Sequence, residues 1–175
     1  MTRYLYRFGA GEADGHGEQT ALLGGKGANL AEMTHLGVPI PPGFTLTTEV
    51  CTYFHDHEQR FPDDLIDDVS AGLDHLGELT ESRFADGESP LVLAVRAGAA
   101  EALPGLLRPI LNLGLNDETV LGLAARSGDL RFAYDCYRRF VANYGEVVMG
   151  VRAQSEYDDS PFVRILQDLK VERGA

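Results

Sequence analysis

The spacing of apolar residues changes along the chain, from short runs between glycine-rich stretches to longer helical stripes. Up to about residue 110, the pattern predicts strands over 4–8, 43–47 and 91–95, and helices after Gly27 and over 62–79. The strand over 91–95 is a continuous apolar run, which is typical of a buried strand. These elements predict a mixed lobe of helices and strands.

Beyond residue 110 the apolar pattern becomes helical. Asn116 and Asp129 are suited to cap two helices, and the second helix runs to about Tyr144 and ends at Gly145. A further helix is predicted over 161–170. The sequence therefore predicts an α+β fold, divided into an α/β lobe over 1–110, a helical lobe over 111–153 and a tail over 154–175.

Composition and charge exclude several classes of protein. The 175 residues have an ordinary share of apolar side chains and a formal net charge of −12. We therefore expect no binding to nucleic acid or to an anionic membrane surface, because both need positive patches, whereas a nucleotide needs only a few local donors. No apolar run is long enough to span a membrane and no secretory leader is recognisable, so we expect a cytoplasmic protein.

Cysteine and histidine give no sign of a metal site or a nucleophile. The two cysteines, Cys51 and Cys136, stand alone and are expected to be buried free thiols. The five histidines do not show the spacing of metal ligands. The sequence therefore predicts no metal ligand and no catalytic residue.

The segment Gly24-Gly25-Lys26-Gly27 stands directly before a predicted helix. Glycine lets backbone N–H groups approach an anion, a helix N-terminus favours negative charge, and lysine adds a positive one. The segment is not the phosphate-binding P-loop, because no hydroxyl residue follows the lysine. Two interpretations stay open: a phosphate-contacting element, or a tight turn with a solvent-exposed lysine.

A second candidate lies at the end of the strand over 91–95. Arg96 leaves this strand and Gly98 follows in a loop of small residues, at the kind of position where α/β sheets gather their ligands. An arginine there is suited to a phosphate, and equally to pairing with a nearby carboxylate. The loop continues through Pro104 and Gly105, which either fold over a ligand or form a plain connection.

Several sequence blocks resemble the N-terminus of pyruvate phosphate dikinase and stand in the same order. They are 22–36 (LLGGKGANLAEMTHL), 41–48 (PPGFTLTT), 112–117 (NLGLND) and 131–140 (RFAYDCYRRF). The resemblance covers roughly residues 3–151. Phosphoenolpyruvate synthase and related water dikinases share the Gly-Gly-Lys and strand–arginine elements, whereas the last two blocks favour the pyruvate, phosphate branch.

The resemblance implies an ATP-grasp domain that takes a phosphoryl group from ATP, with magnesium, and passes it to a histidine on another domain. The family's lysine after Gly-Gly and its arginine after the strand, which contact nucleotide phosphates, map onto Lys26 and Arg96. Its lid over the phosphates maps onto 100–107. The implied nucleotide-binding residues are Lys26, Arg96, Gly24, Gly25, Gly98, Pro104 and Gly105.

The chain departs from the family pattern around the lid. The family has serine after the arginine, where this chain has Ala97, and Met-Pro-Gly-Met-Met-Asp-Thr where this chain has LPGLLRP over 103–109. Arg108 thus reverses the charge of an aspartate, and Pro109 removes a backbone donor. The family's magnesium ligands, phosphohistidine domain and pyruvate-binding barrel have no counterpart in these 175 residues.

Three hypotheses follow. The first is an incomplete ATP-grasp lobe that binds nucleotide within a phosphotransferase (kinase) system, with a homodimer or a partner protein completing the fold. The second is a non-catalytic regulatory or interaction protein derived from this lobe. The third is a piece of a complete enzyme. Because the ATP cleft lies between two lobes, an incomplete lobe also predicts an exposed apolar face.

Overall fold

Six helices and four short strands are present in the described residues, which are 2–98, 108–153, 155 and 158–174 of the computed structural model. The fold is α+β, as the sequence predicts. In chain order, the elements are β1 (Leu5–Phe8), α1 (Thr20–His35), β2 (Gly43–Leu46), α2 (Thr48–Asp56), α3 (Leu65–Thr80), β3 (Leu93–Val95), β4 (Ile110–Leu113), α4 (Thr119–Ser127), α5 (Leu130–Val147) and α6 (Pro161–Arg173).

The first group of elements is built on the antiparallel pair of β1 and β2. Leu5 of β1 stands opposite Leu46 of β2. Helices α1 and α3 pack against this pair, and α2 packs against α1. A Cβ added at Gly72 of α3 would lie 3.0 Å from the side chains of Leu5 and Phe44, so a glycine lets α3 approach the strands closely.

In the second group, α5 packs against β4 of the antiparallel pair of β3 and β4, and α4 packs against α5. Both helices begin near the predicted caps. The side chain of Asn116 accepts a hydrogen bond from the backbone N–H of Thr119 at 2.8 Å, and that of Asp129 accepts one from Phe132 at 2.9 Å. These bonds satisfy N–H groups of the first helical turn, which have no acceptor within the helix.

The sequence predicts that helix α5 ends at Gly145, but the helix continues to Val147. Gly145 is buried and its missing side chain leaves room for the ring of Phe162 from α6. The hydroxyl of Ser160 donates a hydrogen bond to Glu146 at 2.6 Å, next to this contact. The glycine therefore serves the packing of α6 on α5 and does not terminate the helix.

Strand β3 is shorter and more exposed than predicted. It begins at Leu93, and Val95 is 44% exposed, whereas Leu91 just before the strand is 6% exposed. The prediction of a buried strand over 91–95 is therefore wrong in two respects: residues 91 and 92 lie before the strand, and the strand itself is partly exposed because a two-stranded sheet leaves an edge and part of its faces uncovered. The sequence also does not predict β4, which is short and contains an asparagine, a residue that is rare in strands.

The prediction of two buried thiols is wrong for Cys51, which is exposed on α2, while Cys136 on α5 is only partly covered. No helix in the described ranges has the length and apolar character needed to cross a bilayer.

Candidate functional site

Helix α1 consists of two helical segments that meet at Gly24. Gly24 has φ 68° and ψ 162°, a backbone conformation that is costly for residues other than glycine. The first segment begins at Thr20, so the helix starts earlier than predicted. The break at Gly24 places Gly25, Lys26 and Gly27 in the first turn of the second segment. Backbone N–H groups in a first turn lack an acceptor in their own segment, and they point toward any ligand there.

The glycines beside Lys26 differ in their surroundings. A Cβ added at Gly25 would meet no heavy atom within 4 Å, whereas one added at Gly27 would lie 2.7 Å from Cγ2 of Thr45. Gly27 therefore allows α1 to approach β2 closely. Gly25 leaves open space next to Lys26, which is itself exposed.

Lys26 reaches from α1 to the end of β3. Its ammonium group donates a hydrogen bond to the backbone carbonyl oxygen of Ala97 at 3.1 Å. Ala97 directly follows Arg96, and a Cβ added at Gly98 would meet no heavy atom of the described residues within 4 Å. The structure thus brings together the two candidate segments that the sequence identifies, although 71 positions separate Lys26 from Ala97.

Arg96 is exposed, and its guanidinium group has no ion pair or hydrogen bond with the residues that the structure describes. The alternative interpretation, in which Arg96 pairs with a nearby carboxylate, therefore finds no partner in 2–98, 108–153, 155 and 158–174. Pro104 and Gly105, the other predicted site residues, lie outside the described residues. Within the described ranges, no three His, Cys, Asp or Glu side chains come together as a metal site.

The position of Arg96 depends on an irregular pairing of β3 with β4. Leu93 stands opposite Leu113, and Val95 stands opposite Ile110. Two residues of β4 therefore face one residue of β3, which is a β-bulge. Asn112 lies in this bulge with φ 61°, a left-handed conformation that asparagine adopts more readily than most residues.

Two hydrogen bonds tie the bulge to α5. The side-chain amide of Asn112 donates to the backbone carbonyl of Cys136 at 3.2 Å. The side-chain oxygen of Asn143 accepts from the backbone N–H of Leu111 at 3.1 Å. The sequence does not predict that either asparagine supports the site. Its only available signal was an asparagine within an apolar run, which favours a bulge or a turn.

Lys26 and Arg96 are both exposed. Clefts of about 640 and 670 Å³ occur along α5 and beside β1, but neither is lined by Lys26 or Arg96. What the described residues provide is a helix N-terminus, an ammonium group and a guanidinium group on neighbouring segments. This combination favours an anionic oxygen ligand such as a phosphate.

A known protein family matches a segment that runs from α1 to just beyond α2. The family described as "Pyruvate phosphate dikinase, AMP/ATP-binding domain" matches residues 20–59, which begin at the first residue of α1. The matched stretch contains Gly24, Gly25 and Lys26.

Individual relatives extend the similarity over nearly the whole chain. The chain is 44% identical to pyruvate, phosphate dikinase of Rhizobium meliloti (strain 1021) over 174 residues, which are 99% of this chain and 19% of that protein. It is 45% identical to the chloroplastic protein of Flaveria trinervia over 170 residues, which are 97% of this chain and 17% of that protein. It is 48% identical to the chloroplastic pyruvate, phosphate dikinase 1 of Oryza sativa subsp. japonica over 147 residues, which are 84% of this chain and 15% of that protein.

The chain is homologous to part of pyruvate, phosphate dikinase, as the sequence blocks indicate. It spans less than a fifth of the length of these relatives.

Proposed function

We propose that the chain is an ATP-binding module of a pyruvate phosphate dikinase-like phosphotransferase, and that Lys26 and Arg96 contact the nucleotide phosphates. The observation that carries this proposal is the hydrogen bond from Lys26 to Ala97. It brings the first turn after the break in α1 next to the segment that contains Arg96. The match of residues 20–59 to an AMP/ATP-binding domain supports the same assignment.

Among the described residues, neither Gly25 nor Gly98 has a neighbour within 4 Å of an added Cβ, which supports room for the phosphates beside them. On binding, Lys26 exchanges the carbonyl oxygen of Ala97 for a phosphate oxygen. The guanidinium group of Arg96 offers paired N–H donors to the same anion. A hydrogen bond to a charged group contributes about 1.5–3 kcal/mol, so two such contacts hold a nucleotide on a chain of net charge −12.

The described residues offer no cluster of ligands for magnesium. Its ligands are oxygens in octahedral geometry, and no cluster of three acidic or histidine side chains occurs in the part of the chain that is described. We infer that magnesium arrives on the ATP phosphates and that further protein ligands come from outside the described residues. Because phosphoryl transfer depends on positioning and on charge neutralisation by the metal, this chain does not complete the transfer alone.

We further propose that a partner completes an ATP-grasp fold, either a second copy of this chain or a dikinase-like polypeptide. Val95 of β3 and Leu111 of β4 are 44% and 45% exposed on a two-stranded sheet, which supports a covering partner. Cross-linking in native cells, followed by purification and mass spectrometry, tests this. A homodimer or a dikinase-like polypeptide is expected, and recovery of the monomer alone contradicts it. A cytoplasmic location stays a prediction, since some relatives are named chloroplastic.

A second candidate function is a non-catalytic regulatory or interaction protein derived from the same lobe. Arg108 favours it. This residue stands where the family pattern has an aspartate, and its guanidinium group pairs with Glu146 of α5 at 2.9 Å. An arginine held by α5 cannot replace an acidic group near phosphates and magnesium, so the change is compatible with a lobe that has lost ATP.

Calorimetric titration with ATP and with adenosine separates the two functions. If the phosphates are bound as proposed, ATP binds at least about tenfold more tightly than adenosine, a difference of about 1.4 kcal/mol. Absence of binding heat with ATP at about 1 mM, where a weak site is already populated, overturns the nucleotide-binding proposal and leaves the regulatory function.

A further inference from the structure

The bulge in β4 sets the place at which the segment 96–98 meets Lys26. We propose that Asn112 is a positioning residue for this segment, an inference that rests on the proposed nucleotide site. In the described part of the chain, the side chain of Asn112 bonds to Cys136 and not to Lys26 or Arg96. It acts through the pairing of β4 with β3.

The bulge sets the register of β3 against β4. Val95 stands opposite Ile110 only because two residues of β4 occupy the place of one in β3. If the bulge were lost, Val95 would move along β4 by one residue, which is about 3.3 Å. Arg96 and Ala97 follow Val95 directly and would move with it. The hydrogen bond from Lys26 to the Ala97 carbonyl is 3.1 Å long and cannot persist through a displacement of that size.

Asn112 is suited to the bulge by its backbone conformation and by its side-chain hydrogen bond. Its φ of 61° is available to glycine and asparagine with little strain, but costly for alanine. Its side-chain amide donates to the Cys136 carbonyl, which secures the bulge against α5. Glycine in this place would keep the backbone without the hydrogen bond. Alanine would keep neither, and aspartate would keep the backbone but present a charged acceptor to a carbonyl oxygen.

The first test needs no nucleotide. In protein labelled with ¹³C at alanine carbonyls, Lys26→Met removes the donor and is expected to shift the Ala97 signal. The same shift is expected in the Asn112→Gly background and is expected to be absent in Asn112→Ala. Lys170→Met is the matched control, because Lys26 and Lys170 are the two lysines of the chain. It should leave the Ala97 signal unchanged in every background.

The second test measures ATP affinity in a double-mutant cycle. Asn112→Ala is expected to lower ATP affinity at least about tenfold, the size of one lost charge-assisted contact. In a Lys26→Met, Arg96→Ala background it should cause no further loss, because Asn112 acts through these residues. Asn112→Gly should retain affinity within about threefold, since only a neutral hydrogen bond remote from the ligand is lost.

A stability control separates positioning from general weakening. Asp129→Ala removes the cap of α5 without touching the bulge, and it should lower the free energy of unfolding by an amount similar to Asn112→Ala while leaving ATP affinity and the Ala97 signal unchanged. If Asp129→Ala reduces affinity as much as Asn112→Ala, the positioning role is overturned. It is also overturned if Asn112→Ala keeps the Lys26-dependent shift of Ala97.

The proposal can still be tested if the wild-type chain binds no ATP or if Asn112→Ala does not fold. If the wild-type chain binds no ATP, the proposed function fails, while the carbonyl experiment still decides whether Asn112 positions the segment. If Asn112→Ala does not fold, Asn112→Ser takes its place, because serine adopts the left-handed conformation less readily than asparagine. A reduced Lys26-dependent shift in that variant supports the inference, and a full shift contradicts it.

Discussion

The ammonium group of Lys26 and the carbonyl oxygen of Ala97 lie 3.1 Å apart, although 71 positions separate the residues. Lys26 follows the break in α1 at Gly24, and Ala97 follows Arg96 at the end of β3. Their hydrogen bond connects the two groups of packed elements. It also defines the surface at which we place the nucleotide phosphates.

The two glycines that flank Lys26 should respond oppositely to alanine. Gly27→Ala would place a Cβ 2.7 Å from Thr45, and we expect it to lower the free energy of unfolding by about 1–3 kcal/mol through overpacking. Gly25→Ala meets open space within a helix and should be neutral or stabilising by up to about 1 kcal/mol. Urea unfolding of both variants checks this. Equal effects would mean that α1 does not pack on β2 as described.

Glu146 should make stability depend on pH. The hydrogen bond from the Ser160 hydroxyl lowers the pKa of Glu146 below its ordinary value of 4.5. Burial raises this pKa, and the guanidinium group of Arg108 lowers it further. A carboxylate with a lowered pKa in the folded state stabilises above its ordinary pKa, and the stabilisation is lost as pH falls through the folded value.

Comparison of wild type with Glu146→Gln measures this effect. Near pH 7 the variant should be less stable by roughly 1 kcal/mol, because Arg108 is largely exposed and its pairing is screened. The difference should narrow as the pH falls below about 4.5. Urea unfolding at a series of pH values provides the measurement, and a constant difference down to about pH 3 would show that the charge of Glu146 contributes nothing.

Helix α6 should detach from α5 when the ring of Phe162 is removed. Phe162 occupies the space left by Gly145, and α6 is 13 residues long, which is marginal for an isolated helix in water. We expect Phe162→Ala to speed amide hydrogen exchange throughout 161–173 and to leave α4 unchanged. Val171→Ala, at a side chain that is 82% exposed, is the control and should leave exchange in α6 unaltered. Slow exchange retained in Phe162→Ala would contradict the described packing.

The sequence predicts the elements whose signals are local. The cap at Asp129 is correct because its side chain bonds to an N–H group only three residues away. The N-cap of α4 is Glu118 and not Asn116, although the side chain of Asn116 accepts from the N–H of the first helical residue, Thr119. The exposure of Val95 and the strand β4 are not predictable in this way, since both depend on which strands pair in space.

The candidate site shows the same division. The glycines and charges around Lys26 and Arg96 are recognisable in the sequence, and the structure brings their segments together. The contact of Lys26 with a backbone carbonyl and the bulge at Asn112 are not recognisable, because both are consequences of tertiary packing. The nucleotide-binding role of these residues stays a prediction.

The assignment of the phosphate site to Lys26 and the segment 96–98 is tested most directly by the calorimetric affinity for ATP of wild type, Lys26→Met and Lys170→Met. The two substitutions make the same chemical change at the two lysines of the chain. If the surface formed by Lys26 and the segment 96–98 binds the phosphates, Lys26→Met lowers ATP affinity at least about tenfold and Lys170→Met leaves it unchanged. Equal affinities of wild type and Lys26→Met would contradict the assignment of the site.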